Sequence, residues 1–147
     1  MPDPTYEKPR ERDVGLGPSQ QRALRALMEA VFARSAGDEV VPPPEPRIAW
    51  VCAEIDDFLA RVTIRSRLVV LLSLFAVSVI APLLARRFGG LASLALTDRI
   101  HALELFERSP LAPALLAVKA LVAIHYYEHP DAARKVGFDG ACLVEGR

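Results

Sequence analysis

The stretch Arg87 to Arg147 reads RFGGLASLALTDRIHALELFERSPLAPALLAVKALVAIHYYEHPDAARKVGFDGACLVEGR, and its punctuation decides the fold class. Thr97 is placed to cap a helix, with Asp98 in the first turn where the helix dipole favours a carboxylate. Ile100, Leu103 and Phe106 then recur on one face. Ser109-Pro110 predicts a second start, an N-cap followed by proline at the first helical position. From Pro110 to about Glu128 the chain is apolar nearly all round, through Leu111, Leu115, Leu116, Val118, Leu121, Val122 and Ile124. Only Lys119 and His125 interrupt, and Pro113 falls in the first turn, where its missing N–H does no harm. A helix apolar on every side is expected at the centre of a bundle, covered by its neighbours. His129-Pro130 ends it and begins a short turn to Val136, with Gly137 as its C-cap.

Working outward, residues 64–86 read as another helix. Its Leu68 to Ala85 segment holds 18 uncharged residues, of which only Ser73 and Ser78 are polar. Pro82 is expected to kink it or end its regular part, and Gly89-Gly90 closes it. Before it, a helix from about Arg47 carries Ile48, Val51, Ile55, Phe58, Leu59 and Val62 on one face. Glu54, Asp56, Asp57 and Arg61 form its solvated side. The run Pro42-Pro43-Pro44-Glu45-Pro46 reads as a stiff extended connector. Upstream, Leu24, Leu27, Met28 and Val31 follow helical spacing after a Ser19 cap. Residues 1–18 hold 4 of the 12 prolines and 7 charges, with almost nothing to bury, and read as a flexible or surface-adhering arm. The expectation is an all-α protein, a compact domain of five or six helices over residues 19–147 behind an extended N-terminal arm. No strand pattern, internal repeat or low-complexity tract is read.

Composition narrows the function classes. With 18 basic and 18 acidic residues among 147, there is no charge excess pointing to nucleic acid. The hydrophobic fraction of 52% is high for a soluble domain, so apolar surface must be covered by a helical core, a membrane or another protein. Cys52 and Cys142 are too far apart for a CxxC or zinc pattern. Two free thiols, an internal disulfide and a bond to a partner all remain open. The N-terminus has no apolar segment of the secretory type, which leads to the expectation of a cytoplasmic or peripherally membrane-associated protein.

No P-loop, GxGxxG, GxSxG or HExxH is present. His125 and His129 have i, i+4 spacing, but Pro130 disfavours helical geometry at His129, so capping or structural roles are expected rather than metal binding. His101 and Glu104 make a single HxxE, whereas di-iron bundles need two ExxH motifs and further carboxylates. Tyr126-Tyr127 is expected to place one ring in the core and one at the surface. No catalytic, cofactor-binding or metal site is assigned in this chain.

Four segments carry a family resemblance. LGPSQQRALRALMEAVF, IDDFLARVTIRSRLVVLL, RFGGLASLALTDRIHALELFERS and VKALVAIHYYEHPDAARKVGFDG occur in this order between Leu16 and Cys142. They resemble the small-subunit (subunit 3) family of gluconate 2-dehydrogenase, helical companions of FAD-containing oxidoreductases of the glucose–methanol–choline type. The resemblance implies a non-catalytic subunit that binds and stabilises a large FAD-dependent partner, aiding its folding, flavin loading or export, with FAD in the partner and no cofactor here. Many family members carry a twin-arginine export signal, which residues 1–18 do not show. The expected partner-interface residues are Leu72, Phe75, Tyr126, Tyr127, His129, Phe138 and Cys142. The alternative is a membrane-anchored or membrane-embedded helical protein using residues 68–85, whose length of about 27 Å approaches a bilayer core.

Overall fold

A computed structural model describes residues 15–137; Phe138 and Cys142 lie outside the described residues, as does most of the expected N-terminal arm. The fold is all-α: α1 (Pro18–Val31), α2 (Glu45–Arg61), α3 (Ile64–Leu84), α4 (Leu96–Glu107), α5 (Ala112–Glu128) and α6 (Pro130–Lys135), with a 3-10 turn at Leu91–Ser93. α3 packs against α1, α4 and α5, α2 packs against α1 and α5, and α6 folds back on α5. Leu24, Leu27 and Met28 of α1, Ile48, Val51 and Ile55 of α2, and Val77 of α3 meet Phe106 of α4 and Leu115, Val118 and Val122 of α5 in the buried core.

One feature contradicts the reading of the sequence as free of strands. Arg34–Ala36 (β1) and Glu39–Val41 (β2) pair antiparallel, Ser35 opposite Val40, between α1 and α2. Gly37 opens the two-residue loop at φ 66, the left-handed geometry that tight hairpins need. The strands are short, and every position but Val41 is exposed, so the hairpin has no alternating buried face to betray it.

Helix boundaries also move. Gly17, not Ser19, caps α1: Pro18 takes the first helical position and the Gly17 N–H donates to Gln20 Oε1 at 2.9 Å. Residues 15–18 are therefore held against the fold. Leu16 is buried, and its N–H donates to Asp56 of α2, which gives that carboxylate a structural partner rather than a merely solvated place. Glu45 and Pro46 belong to the first turn of α2 instead of to an extended connector. Ala95 rather than Thr97 caps α4. α5 begins at Ala112, with Ser109 Oγ accepting from Leu111 N at 3.2 Å in the turn that leads into it.

α3 runs through Pro82 and stops two residues later. Arg87 N donates to Pro82 O at 2.8 Å and Arg86 N to Leu83 O at 2.9 Å, a Schellman ending. The left-handed position of that motif is filled by Arg86 at φ 56 rather than by glycine. Val136 is the C-cap of α6, and Gly137, the expected cap, takes the left-handed position one residue beyond it at φ 80.

Candidate functional site

The residues of α3 divide into two opposite faces. Ser73, Leu74, Val77 and Ala81 point into the fold. Ile64, Leu68, Leu72, Phe75, Val79 and Leu83 are exposed, and their spacings of four or three residues make one outward stripe along the helix. Leu72 is 64% and Phe75 66% exposed. Only 28% of the apolar window of this helix is buried within the chain. The expectation of a central, fully covered α5 fails: Leu116, Ile124 and Tyr127 are exposed, so α5 is a half-covered helix.

The reason is geometric. A helix in a small bundle touches neighbours on one side or two, and α5 meets α2, α3, α4 and the short α6 without being enclosed. Hydropathy fixes how much of a helix wants cover, not whether this chain has enough helices to supply it. Isolated exposed leucines are ordinary, but a continuous apolar stripe on a monomer marks a surface that something else covers. The stripe is bounded by charge: Arg61, Arg65 and Arg67 lie near its start and Arg86 and Arg87 near its end.

Of the expected C-terminal site residues, Tyr126, Tyr127 and His129 lie where α5 meets α6. Tyr126 is buried and its ring stacks on Phe32, 3.8 Å between centroids and 7° between planes, while Tyr127 is half exposed and meets Phe32 edge-on. This is the division of one inner and one outer ring expected for the pair. His129 caps α6, its Nδ1 accepting from Asp131 N at 3.3 Å, and stands edge-on to Trp50 at 5.1 Å. Its backbone is extended at ψ 129, so it leaves the face on which His125 sits; His125 Nδ1 lies 3.1 Å from Glu128. Arg134 beside Asp131 holds that carboxyl below its usual range.

Two things escaped the sequence reading. One is the full extent of the stripe, since Leu68, Val79 and Leu83 stand beside Leu72 and Phe75. The other is Arg47, third residue of α2 and only 8% exposed, whose Nη1 donates to Tyr126 Oη at 3.1 Å. No local pattern in the sequence signals its burial. Cys52 is a free, half-buried thiol, and its burial pushes its pKa up to about 11 despite the nearby Arg25. Comparison of the chain with protein-family models, with curated proteins and with solved structures gives no match.

Proposed function

We propose that this protein is a non-catalytic helical subunit that binds and stabilises a large FAD-dependent oxidoreductase, and that the outward stripe of α3 is the surface it offers. The observation that carries the docking part of this reading is the exposure of Leu68, Leu72, Phe75, Val79 and Leu83 in one row. The identity of the partner rests on the resemblance of four ordered segments to the small-subunit family of gluconate 2-dehydrogenase. In this reading the chain supplies apolar contact and the partner supplies the flavin and all of the chemistry.

The test is affinity purification of the tagged full chain from its native cells. A large flavoprotein should accompany it with stoichiometric flavin absorbance, and the double substitution L72D/F75D should remove that flavoprotein from the eluate. Isolation of the chain with no flavoprotein overturns the reading. Retention in membranes after carbonate extraction would instead favour α3 as an anchor.

A further inference from the structure

A pocket of ≈ 200 Å³ opens at the junction of α2, α5, α6 and the β1 strand, on residues that the docking surface does not use. Its cationic lining consists of Arg34, Arg47 and Lys135, and no carboxylate is among the residues that line it. Its apolar walls include the stacked Phe32 and Tyr126 rings and Pro43.

Arg47 is the unusual member. It is 8% exposed, and its Nε is buried without a hydrogen-bond partner. Its guanidinium lies 5.2 Å from the centroid of the Tyr126 ring and donates to the hydroxyl of that same tyrosine. No ion pair joins it to a carboxylate among the described residues. Glu45, two residues earlier, is engaged by Arg25 on the outside of the helix, and Asp131, whose charge also acts on Arg47 without a direct ion pair, is hydrogen-bonded by Arg134. Arg47 also sits in the first turn of α2, where the helix dipole is positive and a cation is disfavoured. A desolvated charge, short of acceptors and at the wrong end of a helix, carries two penalties that one bound anion relieves together.

We propose that this pocket is a binding site for a carboxylate, with room beside it for a small flat apolar body. A planar guanidinium is matched to a carboxylate. The Tyr126 hydroxyl, which accepts from Arg47, keeps its own proton to donate. The aromatic stack receives the apolar body, and Arg34 and Lys135 at the exposed rim supply further positive charge. The volume is below the roughly 300–1,000 Å³ typical of sites for drug-sized ligands, which limits the occupant to about one ring. The same carboxylate chemistry has two sources: a free small acid, or the acidic side chains Asp139 and Glu145 that follow shortly after the pocket residue Val136 in the chain.

Benzoate and its neutral isostere benzamide, titrated into the full chain by calorimetry and by amide chemical shifts, test the proposal. Benzoate should bind at least tenfold more tightly than benzamide, and more weakly as salt rises. Arg34→Ala and Lys135→Ala should each weaken benzoate about two- to fivefold, as exposed charge pairs do. Arg47→Met should abolish binding; if that variant does not fold, the two rim variants still decide the matter. The full chain carrying Asp139→Asn and Glu145→Gln separates the sources. Tighter benzoate binding by this variant assigns the carboxylate to the chain's own C-terminal residues, and unchanged affinity assigns it to a free acid. If neither the unmodified chain nor this variant prefers benzoate to benzamide, or if the rim substitutions leave affinity unchanged, the proposal fails.

Discussion

Replacing Leu72 and Phe75 together with aspartate should separate folding from association. Both side chains keep about two-thirds of their surface exposed, at 64% and 66%. Full burial of a leucine or phenylalanine contributes roughly 1.5–3 kcal/mol, so the exposed two-thirds of each leaves about 1–2 kcal/mol for a partner to gain. The pair therefore represents roughly 2–4 kcal/mol of association energy, or about 30- to 700-fold in Kd, before the cost of burying two carboxylates is added. Folding of the isolated chain should change by about 1 kcal/mol or less, since little that is buried is lost. Val77 on the opposite face is fully buried, and Val77→Asp should cost several kcal/mol or prevent folding. Circular dichroism melts, dye binding to exposed apolar surface and sedimentation velocity read the difference. L72D/F75D should melt near the unmodified chain, bind less dye and self-associate less, and V77D should melt early or not fold. If L72D/F75D destabilises as much as V77D, the stripe is covered within the chain. If it leaves both dye binding and association untouched, the stripe is not an interacting surface. Either result would refute the reasoning.

Three further outcomes are expected. Arg99 reaches Leu94 O at 2.8 Å and Ala92 O at 3.1 Å and forms a half-buried ion pair with Glu29, so Arg99→Ala should cost about 2–3 kcal/mol in denaturant unfolding; Arg61→Ala, which breaks an exposed pair with Asp57, should cost under about 0.5 kcal/mol. Arg86→Gly at φ 56 should stabilise by about 1 kcal/mol, and Gly89→Ala at φ 110 should destabilise by a similar amount or more, because its new Cβ meets Ser93 Oγ at 2.7 Å. The Cys52 thiol, raised from 9.0 to about 11, should hold roughly a hundredfold less thiolate near pH 8 than an ordinary cysteine and alkylate correspondingly slowly. Because its folded pKa lies above its unfolded one, the thiol's contribution to stability is fully present below pH 9.0 and is lost as pH rises through about 11; melts that strengthen across that window would contradict the assignment.

The helices were legible in the sequence because apolar spacing marks them at length: Leu24, Leu27 and Met28, or Ile48, Val51 and Ile55, are buried as their spacing requires. Helix starts were less legible. At Pro18, Glu45 and Ala112 the strong cap signals nearby, Ser19, the proline run and Ser109-Pro110, lie one to three residues from the first turn that forms. Side chains such as Ser109 satisfy turn backbones as readily as helix backbones. The hairpin was hidden because three-residue exposed strands have no buried face, so Gly37-Asp38, a sound two-residue hairpin loop, lacks the flanking alternation that would announce it. The pocket around Arg47 was not legible at all. It joins residues from Phe32 to Val136, and the burial of one arginine depends on that closure rather than on any local pattern.

The composition of α3 explains why partner and membrane readings compete, and the charges on its neighbours bear on the choice. Its apolar residues are spread around the helix, so the segment alone does not distinguish an inner from an outer face. The neighbours make the distinction. α1, α4 and α5 pack on the inner face; α5 shows Leu116 and Ile124 to the outside, while α1 and α4 present Arg22, Glu104, Glu107 and Arg108 there. Were α3 to cross a bilayer with this fold intact, those charges would enter the hydrocarbon with it, at about 2.5–3.5 kcal/mol for each charged side chain on the insertion scale. A partner protein needs to cover only the stripe from Ile64 to Leu83 and leaves the polar faces of α1 and α4 in water. The same geometry couples binding to stability. A partner that recognises the outward side of α3 holds in place the helix whose inward side, through Leu74, Val77 and Ala81, helps to close the core, so association should stabilise this chain by mass action.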